Sequence, residues 1–219
     1  STDRDREQIV QRITEGSSIA LVSDAGTPLI SDPGYKLVRA LQDNNIYYTT
    51  LPGPSSVTAA LTLSGLPTNN FMFAGFLPPK AMQRQRYLSD YTEYRTTLVF
   101  FERASRVIAT LYDIQAILGN RQVSVVREIS KKFETARTMP IAQLINHYET
   151  HPEIKGEIVL LVAPPENHEA SHDDIAEQLT SLLSSMRVKD AVNLLHETHH
   201  IPKKKLYALA LELKENNTE

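Results

Sequence analysis

The sequence contains no cysteine among its 219 residues, which excludes a disulfide framework and any metal site built on thiolates. It also lacks a long unbroken apolar run. The longest uncharged stretch, residues 44–79, is interrupted repeatedly by proline and glycine, so it predicts buried or cleft-lining chain rather than a membrane span. The first residues, STDRDREQIVQRI, are charged from the third position, which does not fit a secretory signal. We therefore expect a cytoplasmic protein.

Charge is unevenly distributed along the chain. The net charge is −3, but residues 80–137 hold 11 lysines and arginines against 6 aspartates and glutamates, a local charge of +5 that leaves −8 for the rest. Charge alone favours a solvated basic face, and an anionic partner for the middle of the chain is the alternative.

Strand-like and helix-like segments alternate up to about residue 163, which predicts an α/β fold. Asp32 is the expected N-cap of one helix, and Gly65 is the expected stop of the next. The apolar and β-branched runs predict strands at 18–22, 46–51, 71–77, 96–102, 121–129 and 157–163. The helical patterns lie at 33–45, 56–65, 103–119 and 140–151.

Near Pro164 the composition becomes polar and proline-bearing, as in a linker. Beyond it the chain is predicted to be helical, and the last two helices are joined by a short turn, a pattern typical of a helix-turn-helix. Lys203, Lys204 and Lys205 open the last helix, where cations oppose the helix dipole and need another reason to be present. An ordinary helical hairpin with a solvated lysine cluster is an equally good interpretation.

Two turns follow predicted strands, in the stretches LVSDAGTPLISDPG (21–34) and LPGPSSVTAALTLSGLP (51–67). Glycine permits close backbone approach, and amides between a strand and a helix are suited to holding a ligand. Neither stretch matches a Walker loop or a dinucleotide fingerprint. Two such loops at the carboxyl ends of adjacent strands would flank a cleft, although tight structural turns fit the same pattern.

Together with FAGFLPPK, these stretches resemble the tetrapyrrole-methylase superfamily, and within it the ribosomal small-subunit methyltransferase I family. The blocks VFFE with Arg106, FLPPK with Arg84, REISKKFET and KGEIVLLV agree. The resemblance implies a two-domain α/β fold of the class III methyltransferase type with a helix-turn-helix-like tail. It also implies an S-adenosylmethionine cofactor, a homodimer, and methylation of a cytidine ribose 2′-hydroxyl in 16S ribosomal RNA.

Family members begin earlier, so we expect a fragment that lacks the first strand or strands of the fold. We expect a remainder of the first domain at 1–70, a second domain at 71–163, a linker at 164–173 and a helical tail at 174–219. Other interpretations are a tetrapyrrole methyltransferase of the same superfamily and a non-catalytic fragment that folds and dimerises without cofactor.

The resemblance also implies roles for individual residues. Glu102 and Glu128 are the candidate catalytic carboxylates, with structural ion pairs to nearby cations as the alternative for each. No metal is expected. The i,i+4 histidine pair His147 and His151 lacks a glutamate in zinc-protease register. The cofactor candidates are Asp24, Ala25, Gly26, Thr27, Pro28, Ser55, Ser56, Ala59, Phe76 and Leu77. The RNA candidates are Lys80, Arg84, Arg106, Lys131, Lys203, Lys204 and Lys205.

Overall fold

The computed structural model describes residues 3–24, 26–151, 154–165, 172–199 and 201–216. The chain divides into two units, Ser1–Pro165 and Glu166–Glu219. The first unit contains α1 (Asp3–Thr14), α2 (Tyr35–Asp43), α3 (Ser56–Ser64), β1 (Phe71–Phe76), α4 (Ala81–Ser89), β2 (Thr97–Arg103), α5 (Val107–Leu118), β3 (Gln122–Arg127), β4 (Thr135–Pro140), α6 (Ile141–Thr150) and β5 (Glu157–Val162). The second contains α7 (His172–Leu183), α8 (Val188–His199) and α9 (Lys203–Asn216).

The five strands form one mixed sheet in the order β1-β2-β5-β3-β4. β1 is parallel to β2, whereas the central β5 is antiparallel to both of its neighbours, β2 and β3. β4 returns antiparallel to β3. The carboxyl ends of β1, β2 and β3 therefore meet at one edge of the sheet, together with the start of β5.

Alternating side chains cover the two faces of the sheet with separate apolar cores, as the period of two along a strand requires. On one face Leu98, Phe100 and Leu160 are buried among residues of α4, α5 and α6. On the other face Val99 and Leu161 are buried with the apolar side of α3. The first unit is thus a sheet with helices on both faces, which confirms the predicted α/β class.

The second unit has an apolar core of its own, supplied by all three helices. Leu179 of α7, Val192 and Leu195 of α8, and Leu206 and Ala210 of α9 are buried together. These three helices confirm the predicted helical tail.

The predicted strands at 18–22 and 46–51 are wrong. Neither segment enters the sheet or any other ladder within the described residues. β-propensity expresses the fit of a side chain to a neighbouring strand surface, and here the apolar side chains face solvent. Val22 is 81% exposed and Tyr47 is 86% exposed.

The N-terminal limit of the helix predicted at 33–45 also needs correction. α2 begins at Tyr35, because Gly34 has φ +136° and cannot belong to the helix. The carboxylate of Asp32 does not cap the helix but accepts a hydrogen bond from the Ser23 hydroxyl at 2.5 Å. By contrast, Gly65 ends α3 in the left-handed conformation at φ +67°, as predicted.

The sequence analysis missed α4 and β4. The predicted domain boundary near residue 70 stays a prediction, and both predicted α/β parts lie within the first unit. Most of the predicted linker, residues 166–171, lies outside the described residues. No helix in the described ranges has the length and apolar character required to cross a bilayer.

Candidate functional site

The two glycine-bearing loops are tied to each other by a side chain. The Thr27 hydroxyl donates a hydrogen bond to the Pro54 carbonyl at 3.0 Å. The first loop therefore lies against the turn that opens α3, where Ser55, Ser56 and Ala59 are half-buried. Two segments that lie more than twenty residues apart in the sequence are thus in contact.

The end of β1 reaches the same place. The pairing of β1 with β2 shifts register between Phe73 and Phe76, and Gly75 within this irregularity has φ +69°. A Cβ atom added at Gly75 would lie 3.6 Å from the Ser31 hydroxyl oxygen of the first loop. Phe76 follows directly and is 54% exposed. Three chain segments therefore converge at the carboxyl edge of the sheet.

The apex of the first loop has the backbone and the space that a bound ligand needs. Gly26 has φ +71°, and a Cβ atom added there would meet nothing within 4 Å. Asp24 and Thr27 beside it are exposed, and Pro28 is half-buried. Small residues, exposed polar groups and open space therefore lie together in this loop. Of the predicted cofactor residues, Ala25 lies outside the described residues, and Leu77 is buried in the core.

Glu102 lies at the end of β2 and is buried, with both carboxylate oxygens engaged. Oε1 accepts hydrogen bonds from the Arg103 amide at 2.7 Å and from Arg106 Nε at 2.8 Å. Oε2 accepts from the Thr110 hydroxyl at 2.6 Å. Arg106 also forms a salt bridge with this carboxylate through Nη2 and reaches the Leu77 carbonyl at 3.3 Å. This is the geometry of the ion-pair alternative, in which Glu102 holds Arg106 at the sheet edge.

The first prediction concerns this ion pair. Glu102→Gln should lower the free energy of unfolding by about 1.5–3 kcal/mol, because hydrogen bonds to a charged group are lost inside the protein. The measurement is urea unfolding at neutral pH. The control is Glu149→Gln, since Glu149 accepts an exposed hydrogen bond from Tyr112 and its replacement should cost no more than about 0.5 kcal/mol. Equal effects of the two variants would contradict the prediction.

Glu128 follows β3 and has a left-handed backbone, with φ +52°. Its Oε1 accepts hydrogen bonds from the Glu157 amide at 2.9 Å and from Lys131 Nζ at 3.1 Å. The hydrogen bond from the Glu157 amide, and after it the hydrogen bond from Lys131, lower the pKa of Glu128. Lys131 also pairs with the Glu157 carboxylate at 3.0 Å. A Cβ atom added at Gly156 would clash with the Glu128 carboxylate, so Gly156 is part of this arrangement.

The second prediction follows from the lowered pKa of Glu128. A lowered pKa means that the ionised carboxylate stabilises the fold above the ordinary glutamate pKa of about 4.3, and that this contribution is lost as pH falls through the folded value. Glu128→Gln should therefore be less stable than the wild type at pH 7, and the difference should shrink towards zero on acidification. Urea unfolding of both proteins at pH 7 and pH 3 measures it. A difference that is unchanged at pH 3 would count against the assignment.

Arg84 does not fit its predicted contact with RNA. Only 4% of the residue is exposed. Its guanidinium pairs with Asp113, with Nε at 2.6 Å and Nη2 at 2.5 Å from Oδ2. Nη1 lies near the carbonyls of Pro78 and Pro79. The charge of Arg84 is neutralised by Asp113 inside the protein. Arg84 therefore connects α4, α5 and the segment of Pro78 and Pro79, and it does not face a phosphate.

The other predicted RNA residues are at least partly accessible. Lys80 and Lys131 are exposed, and the Arg106 side chain is 21% exposed. In the second unit, Lys203, Lys204 and Lys205 are exposed in the first turn of α9. Lys203 Nζ donates a hydrogen bond to Asn193 of α8 at 2.6 Å.

The sequence analysis missed Arg127 and Phe133 at the same edge of the sheet. Arg127 ends β3 and donates hydrogen bonds to the Phe133 carbonyl, the Thr135 hydroxyl and the Lys155 carbonyl, at 3.2, 3.3 and 3.4 Å. Phe133 lies in the turn after β3 and is exposed. The available signal was an aromatic residue directly after two lysines in KKF. Among the described residues no group of three or more histidines, aspartates or glutamates is placed to hold a metal ion.

Comparison with known families gives two matches. Residues 2–145 match the family model for tetrapyrrole (corrin/porphyrin) methylases. Residues 169–214 match the model for the RsmI C-terminal HTH domain.

Curated relatives extend this similarity over nearly the whole chain. The chain is 40% identical to the ribosomal RNA small subunit methyltransferase I of Mesorhizobium japonicum, over 97% of this chain and 72% of that protein. The protein of that name from Escherichia coli O157:H7 is 40% identical over 94% of this chain and 73% of its own length. With the Rickettsia prowazekii protein of the same name the identity is 46%, over 73% of this chain and 57% of the relative.

Solved structures share the fold at low sequence identity. The methyltransferase CobJ superposes with a TM-score of 0.57 at 15% identity, covering 75% of this chain and 72% of that chain. Cobalt precorrin-4 methyltransferase CbiF gives a TM-score of 0.53 at 17% identity, covering 74% and 71%. These two likenesses concern the fold alone.

Proposed function

We propose, from the premise that this chain belongs to the tetrapyrrole methylase family and within it to the ribosomal RNA small subunit methyltransferase I group, that it transfers a methyl group from S-adenosylmethionine to ribosomal RNA. The finer target that we propose is a cytidine ribose 2′-hydroxyl of the 16S RNA. The observation that carries the proposal is the convergence of the two loops and the end of β1 at one sheet edge, through Thr27 and Gly75.

The residues that would hold the cofactor are those of this convergence. Gly26 lets the backbone approach the ligand, and Ser55, Ser56 and Ala59 keep the opposite wall small. The exposed ring of Phe76 would cover one side. When bound, S-adenosylmethionine supplies an electrophilic methyl group on a sulfonium. The contribution of the chain is to hold the acceptor oxygen in line with it and to exclude water, which lowers the barrier through orientation.

For the acceptor, Arg106 is the best placed cation. Glu102 and the Leu77 carbonyl fix its guanidinium while part of it stays accessible. A cation held in this way binds an RNA phosphate at little cost in side-chain freedom. Lys80 and Lys131 would add phosphate contacts around it.

Neither candidate carboxylate is well suited to removing the hydroxyl proton. Glu102 is enclosed by three donors, and the lowered pKa of Glu128 makes it a weak base near neutral pH. We therefore propose that both are positioning residues, Glu102 for Arg106 and Glu128 for the turn after β3. Catalysis then rests on alignment of the two reactants, and the proton of the hydroxyl group is released to solvent as the methyl group is transferred.

We further propose a homodimer in the cytoplasm, where small ribosomal subunits assemble. The family supports the dimer. The exposed apolar side chains of the first unit, among them Leu63 and Phe71, support it through the surface that they offer to a second copy.

The third prediction tests methyl transfer directly. The chain, incubated with radiolabelled S-adenosylmethionine and small ribosomal subunits that lack the modification, should label the RNA and yield 2′-O-methylcytidine by nucleoside mass spectrometry. Gly26→Val should abolish cofactor binding in calorimetry and labelling, because the branched side chain would fill the ligand volume.

The matched control for Gly26→Val is Gly119→Val. Gly119 also has a positive φ, at +83°, with nothing within 4 Å of an added Cβ, but it lies at the end of α5 before the start of β3. Each variant should lose about 1–2 kcal/mol of stability from backbone strain, and only Gly26→Val should lose cofactor. Normal cofactor binding by Gly26→Val would show that the loop is only a structural turn and does not contact the cofactor. Labelling of a tetrapyrrole in place of RNA would overturn the proposed substrate.

The fourth prediction concerns the lysines of α9. Changing Lys203, Lys204 and Lys205 together to glutamine should weaken RNA binding at low salt and reduce the slope of log affinity against log salt by about 2 to 3, because each lost phosphate contact removes about 0.7–0.9. The triple arginine variant keeps the charge and should bind like the wild type. Cofactor affinity should not change. Superimposable salt curves for the glutamine variant and the wild type would identify the lysines as a solvated face.

A further inference from the structure

The turn between β3 and β4, residues 128–134, presents an aromatic ring to solvent. Phe133 is 62% exposed, which is far more than a phenylalanine that serves the core. Lys132 Nζ lies 5.6 Å from the centroid of its ring, within reach of a cation–π interaction. Neither core cluster of the first unit includes Phe133, so its ring is not explained by folding.

The turn that carries Phe133 is held in a fixed and strained shape. Glu128 and Ser130 both have left-handed backbones, at φ +52° and +61°. Strain of this kind persists only where surrounding contacts impose it, and it is concentrated at binding sites. Here the Arg127 guanidinium holds the Phe133 carbonyl, and the Ser130 amide donates to the Glu134 carboxylate at 2.6 Å.

Both acids of the turn accept hydrogen bonds from nearby groups, and Glu128 also has a cationic partner in Lys131. The Glu128 carboxylate accepts hydrogen bonds from the Glu157 amide and from Lys131 Nζ, and the Glu134 carboxylate accepts one from the Ser130 amide. Lys132, in contrast, forms no ion pair within the part of the chain that the structure describes. The ring of Phe133 is therefore accompanied by an unneutralised cation.

The register of the sheet gives the distance from the start of this turn to Glu102, the residue that holds Arg106. Arg127 on β3 and Glu102 on β2 both pair with Ile158 on β5, one from each side. Two strand spacings, about 10 Å, therefore separate the start of the turn from the carboxylate-bearing residue that holds Arg106. One or two nucleotides of RNA would span that distance.

We infer that residues 128–134 form a nucleotide-binding platform, in which Phe133 stacks on an unpaired base of the RNA and Lys132 contacts a neighbouring phosphate. The inference rests on the proposed function and names a substrate-binding residue for it. An exposed aromatic ring beside a cation is the arrangement by which proteins bind single-stranded RNA, since every base offers a π-face. A fixed turn presents that ring in one orientation next to the proposed methyl-transfer site.

The fifth prediction tests the platform with the full 219-residue chain and a single-stranded RNA of about 12 nucleotides. The RNA carries 2-aminopurine, whose fluorescence is quenched by stacking. Phe133→Ala should weaken RNA binding by about 5- to 100-fold and remove the quenching at the position that contacts the ring. Phe133→Tyr keeps an aromatic face and should retain both. Phe133→Leu keeps apolar bulk without that face and should behave like alanine.

Cofactor calorimetry, thermal unfolding and light scattering are run on every variant, and none should change, because the ring is exposed. RNA binding by the wild type with no effect of Phe133→Ala would overturn the platform and leave the proposed function standing. Absence of binding to this RNA by the wild type would also overturn the platform, whereas failure of the wild type to label small ribosomal subunits would overturn the proposed function. Retention of binding by Phe133→Leu would exclude stacking. A change in molecular mass on Phe133→Ala would instead assign the ring to contact with a second copy of the chain.

Discussion

The antiparallel placement of β5 between β2 and β3 is the constraint on which the site depends. Because β5 runs opposite to both neighbours, β2 and β3 are parallel to each other across it, and their carboxyl ends lie at one edge. β1 joins this edge because it is parallel to β2. If β5 were antiparallel to one neighbour and parallel to the other, β2 and β3 would run in opposite directions, and Arg106 and the turn after β3 would lie at opposite edges of the sheet.

Much of this architecture is encoded locally, and that part was predictable. Gly65 ends α3 because only glycine adopts the left-handed backbone there without strain, and the apolar runs of β2, β3 and β5 are long enough to be buried on both faces. The strand proposed at 46–51 failed for a different reason. Its tyrosines and β-branched residues fit a sheet, but a strand exists only where another backbone lies beside it, and local sequence contains no information about that neighbour.

Charged residues in family motifs were the hardest part of the site to interpret. Arg84 and Arg106 both stand in such motifs, yet Arg84 is enclosed with Asp113 while Arg106 keeps an accessible edge. The difference depends on which helix face meets the sheet, a property of the tertiary structure. The loop residues were easier, since glycine next to small polar residues restricts the backbone itself. Phe133 was missed because a single aromatic residue in a polar stretch has no periodicity.

The strained turn after β3 also affects the affinity with which a partner can be bound. A flexible loop loses about 1–2 kcal/mol of backbone entropy for each residue that becomes ordered on binding. Residues 128–134 are already fixed by Arg127, Lys131 and Glu134, so most of that cost is met when the protein folds. An RNA that meets a preordered surface needs fewer contacts for a given affinity. It can then bind weakly enough to leave after methylation while still being aligned during it.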